Sequence, residues 1–129
     1  MEKIKLLVDT DIFIDYFNDG FFEEILESKG FEIYYSVVTR KELLAKQGLK
    51  GSEKQAIIYA LKNYKSINIT PKIAQQYSAL LNEYPEVAKE DALIAATALD
   101  KKLPLLIRNW KHYREIRGLV LFGSQMRAS

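Results

Sequence analysis

The sequence contains no cysteine, which excludes disulfide frameworks and thiolate metal sites. It has a single histidine, His112, so no cluster of imidazoles can hold a transition metal, and any metal must be held mainly by oxygen. That donor chemistry points to magnesium or manganese. No apolar stretch approaches the roughly 20 residues of a membrane span. The first apolar run, 4–8, is short and stops at Asp9, unlike the core of a signal peptide. No linker, repeat or low-complexity tract interrupts the chain. A strong charge imbalance is lacking too: 19 Lys and Arg face 17 Asp and Glu, a formal net charge of +2. Bulk charge alone therefore announces no polyanion partner. The chain is expected to be soluble and cytoplasmic, with no membrane contact.

What is present is an ordinary globular balance, 48% hydrophobic and 28% charged over 129 residues. That length suits one domain, expected to span 1–129, with a core large enough to need no staples. Strand and helix signals alternate along it. The runs 4–8, 31–35, 65–69, 105–107 and 119–122 read as short strands. Helical signals cover 11–17 and 21–29, the latter with Gly30 at the capping position. Thr39 is expected to cap a helix running to about Lys46 and closed by Gly48, and Ser52 another running to about Asn63. Thr70-Pro71 is a strong helix start, since proline at the first helical position loses no hydrogen bond, and that helix should end before Pro85. An alanine-rich helix runs from about Lys89 to Leu99, and a short one is expected at 110–115. Such alternation predicts an α/β fold of three layers, α/β/α, around a central, mostly parallel sheet. Ligands of these folds sit beyond the carboxyl ends of the strands.

The polar residues at those ends are Asp9 and Asp11, then Thr39 and Glu42, then Arg108 and Asn109. Asp91 stands at the start of the alanine-rich helix. A cluster of carboxylates is costly unless a cation neutralises it, and a hard divalent ion takes these oxygen ligands. Such an ion can activate water and stabilise the leaving oxygen of a phosphodiester. Periodicity alone does not make these residues meet.

Four segments do point to a common site. LLVDTDIFIDYF (6–17) resembles the opening of a PIN domain, SVVTRKELL (36–44) its second motif, EDALIAATA (90–98) its third and LLIRNWKHY (105–113) its fourth. Each is weak alone; the four in order are specific, and they resemble the VapC-like toxin group most. The resemblance implies a ribonuclease dependent on Mg2+ or Mn2+, acting on RNA, forming a homodimer and silenced by a cognate antitoxin. It implies that Asp9 and Asp91 are the metal-binding aspartates, that Glu42 completes the acidic pocket, and that Asn109 takes a fourth catalytic position often held by aspartate.

Each residue also has a plainer reading. Asp9 is a good helix cap. Thr39 and Glu42 have the spacing of a capping box. Asp11 and Asp15 read as structural anions near a helix start. Asn109 suits a turn. Arg108, Lys111 and Arg114 are candidate contacts to RNA phosphates near the site, with surface charge as their default role. His112 reads as a solvated histidine, outside the catalytic set. The tyrosines read as half-buried amphipathic residues or as a dimer face. Two rival functions start from the same residues. Asp9-Thr10-Asp11 after a strand also opens haloacid-dehalogenase-type phosphatases, although Arg108-Asn109 is not the late acidic pair they use. The other is a catalytically silent PIN-fold binding module.

Overall fold

The computed structural model describes residues 2–123. The chain runs β1 (Ile4–Val8), α1 (Thr10–Asp19), α2 (Glu23–Leu26), β2 (Phe31–Ser36), α3 (Val37–Leu44), α4 (Gly51–Leu61) and β3 (Lys65–Ile67). It continues through α5 (Pro71–Glu83), α6 (Lys89–Lys101), β4 (Leu105–Leu106) and a 3-10 turn, Trp110–His112. The four strands form one parallel sheet in the order β3-β2-β1-β4.

Pleating places successive β1 side chains on opposite faces, and the two cores follow from that. Leu7 packs with Ile73 and Leu80 of α5 and with Ile94, Ala95 and Ala98 of α6. Leu6 and Val8 pack with Ile12 and Phe13 of α1, Leu26 of α2, Leu43 of α3 and Leu61 of α4. Both faces of β1 are thus covered, and all three of these leucine and valine side chains are fully buried. The sheet is the middle of the three layers expected. The small alanine side chains of α6 let it lie close to α5, the most extensively packed helix pair of the fold.

Several elements differ from their sequence signals. α3 begins two residues before Thr39. Ser36, still extended at ψ 147°, caps it by accepting from the Val38 amide at 3.1 Å. Thr39 is therefore inside the helix and fully buried, and no Thr39–Glu42 capping box forms. α4 starts at Gly51 rather than after Ser52: Glu53 reaches back to the Lys50 amide at 3.1 Å. The helical signal over 21–29 shrinks to one turn, α2. Gly30 donates to Ser28 Oγ at 3.0 Å, whereas the left-handed cap is Gly20, φ 75°, whose amide closes α1 onto Tyr16. The run 119–122 forms no strand. A single parallel bridge joins Leu121 to Leu105, because β4 itself offers only two residues to pair. The 110–115 helix reduces to the 3-10 turn. Thr70 caps α5 as expected, accepting from Ile73 at 3.2 Å, and α5 ends at Glu83, before Pro85.

Candidate active site

The chain moves outward from β1 to β2 and β3, then returns to set β4 on the other side of β1. Connections diverge at such a reversal and leave a crevice at the carboxyl ends of the strands. Asp9 is the first residue beyond β1. α3, which carries Glu42, springs from the end of β2. The segment after β4 lies beside them, and α6 brings Asp91 in its first turn.

Asp9 is 8% exposed. It occupies the capping position of α1 without a well-formed side-chain capping bond. Its carboxyl is pushed up to about 7, chiefly by burial and then by the neighbouring charge of Asp11, with Asp91 adding to the effect. The backbone amides of Thr10 and Asp11 offset this only in part. A buried carboxylate with like charges around it is poised to receive a cation.

Glu42 is held from the β1 side. Thr10 Oγ1 donates to Glu42 Oε1 at 2.8 Å, and Thr10 and Thr39 hydroxyls lie 2.9 Å apart. Since Thr10 spends its one proton on Glu42, Thr39 is the donor to Thr10. Glu42 is raised above the usual carboxylate range, first by the partial burial of its carboxylate; the Thr10 bond opposes this, while Glu90, Asp11 and Asp91 reinforce it.

Asp91 is gripped by the segment after β4. Tyr113 Oη donates to its Oδ1 at 2.8 Å, and His112 Nδ1 lies 3.6 Å from its Oδ2. The Tyr113 ring is 2% exposed, and burial, then the charges of Asp9 and Asp91, hold its hydroxyl far above the ordinary phenol range. It stays a donor. Arg108 reaches α1 instead: its Nη1 lies 2.8 and 3.0 Å from the two oxygens of Asp15, and its Nη2 lies 3.6 Å from Asp11.

Asp9, Glu42 and Asp91 line one groove of about 970 Å³. Its remaining walls come from α1, α2, α3, α4 and α6 and the segment between α3 and α4, and include the apolar Ile14, Phe17, Leu43 and Ile57. Asn109 is exposed and is not part of that lining; it precedes the 3-10 turn, its carbonyl accepting from the His112 amide at 3.1 Å. Lys111 is likewise exposed, outside the groove.

Among the described residues, no three acidic or histidine side chains are close enough to form a metal cage. The donor set still fits a hard ion such as magnesium, which keeps several waters and uses one or two carboxylates rather than a full protein cage. The burial of the Asp9 carboxyl beside the charges of Asp11 and Asp91 is what calls for a cation there.

Three site residues were not singled out from sequence: Thr10, Tyr113 and His112 as a neighbour of Asp91. Thr10 had a signal, a hydroxyl flanked by two aspartates. Tyr113 had another. Trp110, Tyr113 and Ile116 are apolar at a spacing of three within an otherwise charged segment, and Tyr113 and Ile116 are buried.

Comparison with known proteins agrees with this geometry. The family model for the PIN domain matches residues 6–118. A curated relative, "Ribonuclease VapC4" of Methanocaldococcus jannaschii, is 33% identical over 132 residues, spanning 90% of this chain and 98% of the relative. A toxin-antitoxin complex from Klebsiella pneumoniae contains a chain 33% identical, with a TM-score of 0.75, covering 89% of this chain and 95% of that one. VapBC2 from Rickettsia felis, bound to a DNA fragment from their promoter, superposes with a TM-score of 0.79 at 23% identity, covering 92% of this chain and 97% of that one. With the family model spanning most of its length and the acids of its motifs gathered in one groove, this chain belongs to the PIN domain family.

Proposed function

We propose that this chain is a metal-dependent endoribonuclease, the toxin of a toxin–antitoxin pair, acting in the cytoplasm as a single PIN domain over residues 1–129. The observation that carries the reading is the meeting of Asp9, Glu42 and Asp91 in one groove at the reversal of strand order. Relatives that are named ribonucleases and toxin-antitoxin complexes support it. The phosphatase reading of Asp9-Thr10-Asp11 lapses with the family assignment, and here Asp11 lies against Arg108.

Asp9 and Asp91 are the residues to hold Mg2+ or Mn2+, and a bound ion supplies Lewis acidity and a more acidic water. Glu42 takes the proton of the attacking water. Thr10 occupies its Oε1, so Oε2 is the accepting atom, and partial burial raises its proton affinity above that of an ordinary carboxylate. Asn109 is kept as the fourth catalytic position only on the resemblance of its motif, since it lies outside the groove lining. Lys111 meets substrate phosphate, whereas Arg108 chiefly braces α1 through Asp15.

The groove also describes its partner. Its lining combines carboxylates with Ile14, Phe17, Leu43 and Ile57, which fits an amphipathic, basic helix from an antitoxin. An arginine of that helix pairs with carboxylates through planar donors. The homodimer face is sought among the exposed apolar and tyrosine side chains, such as Tyr59, 73% exposed, and Val120, 63% exposed.

The decisive experiment is cleavage of single-stranded RNA by the purified chain. Cutting is expected with Mg2+ or Mn2+ and none with excess chelator; undiminished cutting in chelator overturns the metal assignment, and no cutting under any condition leaves the silent module standing. Expression alone is expected to arrest growth, and co-expression with the antitoxin to restore it.

Tyr113 gives a subtler test. Tyr113→Phe keeps the buried ring and removes only the hydroxyl on Asp91. Groups that orient a metal ligand are worth about 10–100-fold in metal affinity. Mn2+ binding followed by electron paramagnetic resonance is therefore expected to weaken about tenfold, with the melting temperature nearly unchanged. Unaltered Mn2+ affinity would reduce Tyr113 to a packing residue.

A further inference from the structure

The groove that holds the acids cannot carry the rest of an RNA strand. Its lining includes Asp11, Glu23, Glu27, Glu53 and Glu90 beside the three site acids, and Lys46 is the single cation among its lining residues. A polyanion is repelled from such a surface everywhere except where a metal ion neutralises it. The nucleotides flanking the cleaved bond must therefore lie on another surface that begins at the same acids.

The segment 108–117 is such a surface. It is tied to the site through Tyr113 and His112, both on Asp91. It carries Arg108, Lys111, Arg114 and Arg117 against one acid, Glu115. Its apolar members hold it to the fold: Tyr113 and Ile116 are in the core, and Trp110 packs partly buried against them. On Trp110 lies the Arg114 guanidinium, 5.1 Å from the ring, while the Arg114 side chain remains 55% exposed. Its other contact is Glu115 at 3.7 Å, a neighbouring side chain that is itself 79% exposed, and such pairs hold little. Core, indole and guanidinium thus form a layered platform open to solvent on its outer side. Aromatic rings and arginine planes are the surfaces on which unpaired bases stack, whatever their sequence.

Resting on the ribonuclease reading, we propose that Trp110 and Arg114 form a stacking subsite for one nucleobase of single-stranded RNA next to the cleaved bond, with Lys111 on an adjacent phosphate. The subsite gives RNA a path over the basic rim and leaves the acidic groove to the protein partner. It also explains why a chain of nearly balanced charge can hold a polyanion: the cations are gathered beside the site.

Arg114→Lys is the central test, because it keeps the charge and loses the plane. Steady-state cleavage of a single-stranded oligonucleotide in Mg2+ is measured for wild type and variant. In parallel, the uncut oligonucleotide is titrated into both proteins in chelator, read by its own fluorescence anisotropy and by Trp110, the chain's only tryptophan. Expected are a KM raised about tenfold with kcat within twofold, a matching loss of affinity, and quenching of Trp110 by RNA in the wild type. Lys111→Ala should weaken binding and flatten its salt dependence, as a lost phosphate contact does. Wild-type kinetics and affinity for Arg114→Lys, or no Trp110 response while anisotropy reports saturation, overturns the subsite and leaves the nuclease intact. An unchanged KM with weakened antitoxin binding assigns the platform to protein and overturns it equally. A wild-type protein that cuts no RNA removes the underlying reading instead, so the two failures are distinguishable.

Discussion

Asp9→Asn is expected to cut RNA at least about a thousandfold more slowly than the wild type and yet, in chelator at neutral pH, to melt roughly 5–10 °C higher. The activity loss follows from removing a charged ligand whose ion supplies several kcal/mol of transition-state stabilisation, each 1.4 kcal/mol being tenfold in rate. The stability gain follows from the titration of the same group. Unfolded, its carboxyl titrates near 3.8, and folded at about 7. Between those values the native state holds the extra proton, so stability falls as pH rises from about 4 to about 7 and is level above that. Ionising this buried group costs on the order of 4 kcal/mol at pH 8, equivalent to about ten degrees in melting temperature for a chain of this size. Melts of the metal-free proteins at pH 5 and pH 8 check it: the wild type should lose stability across that interval and the variant much less. Mg2+ should restore wild-type stability at pH 8. If the wild type melts alike at both pH values in chelator, the electrostatic account of Asp9 is wrong. If the variant cuts at the wild-type rate, its assignment as a ligand is wrong.

Glu42→Gln is expected to lower kcat about 100-fold or more, the usual worth of a positioned general base, with the melting temperature within about 2 °C of wild type. The tertiary structure makes this substitution informative. A capping box would have tied Glu42 to the start of its helix, but Ser36 caps α3 and Thr39 is buried inside it. Glutamine retains an oxygen for Thr10, so the 2.8 Å contact has a replacement. What it loses is the ability to take a proton. Single-turnover cleavage beside thermal melts decides the matter: a near-normal rate would remove Glu42 from the chemistry, while a large fall in melting temperature would make it a structural residue.

Much of this architecture was legible in the chain. Short apolar runs ending in polar residues marked β1 to β4, Thr70-Pro71 and Pro85 bracketed α5, and alanines announced the closely packed α6. Those signals are local: they depend on the capping chemistry of one residue and on periods of 2 and 3.6 that a short window contains. The resemblance to PIN motifs added which acids belong together.

Competition between neighbours was not legible. Ser36 and Thr39 are both good caps, and the sequence does not rank them. The burial of Thr39 against Thr10 does, because a hydroxyl in the core needs a partner there and Thr10 is 2.9 Å away. The 119–122 run has strand-like residues but meets a partner strand only two residues long, so one bridge forms where a strand was expected.

The layered α/β fold and a set of oxygen donors suited to a hard metal ion are written in the residues alone, because residue chemistry and local periodicity carry both. Long-range packing settled that buried Tyr113, with His112 beside it, holds Asp91, that Arg108 is engaged by Asp15, and that Asn109 stays outside the groove that Asp9, Glu42 and Asp91 share. These outcomes depend on strand order, on the reversal at β1 and on which side chains the core buries, and such long-range terms leave no periodic trace along the chain.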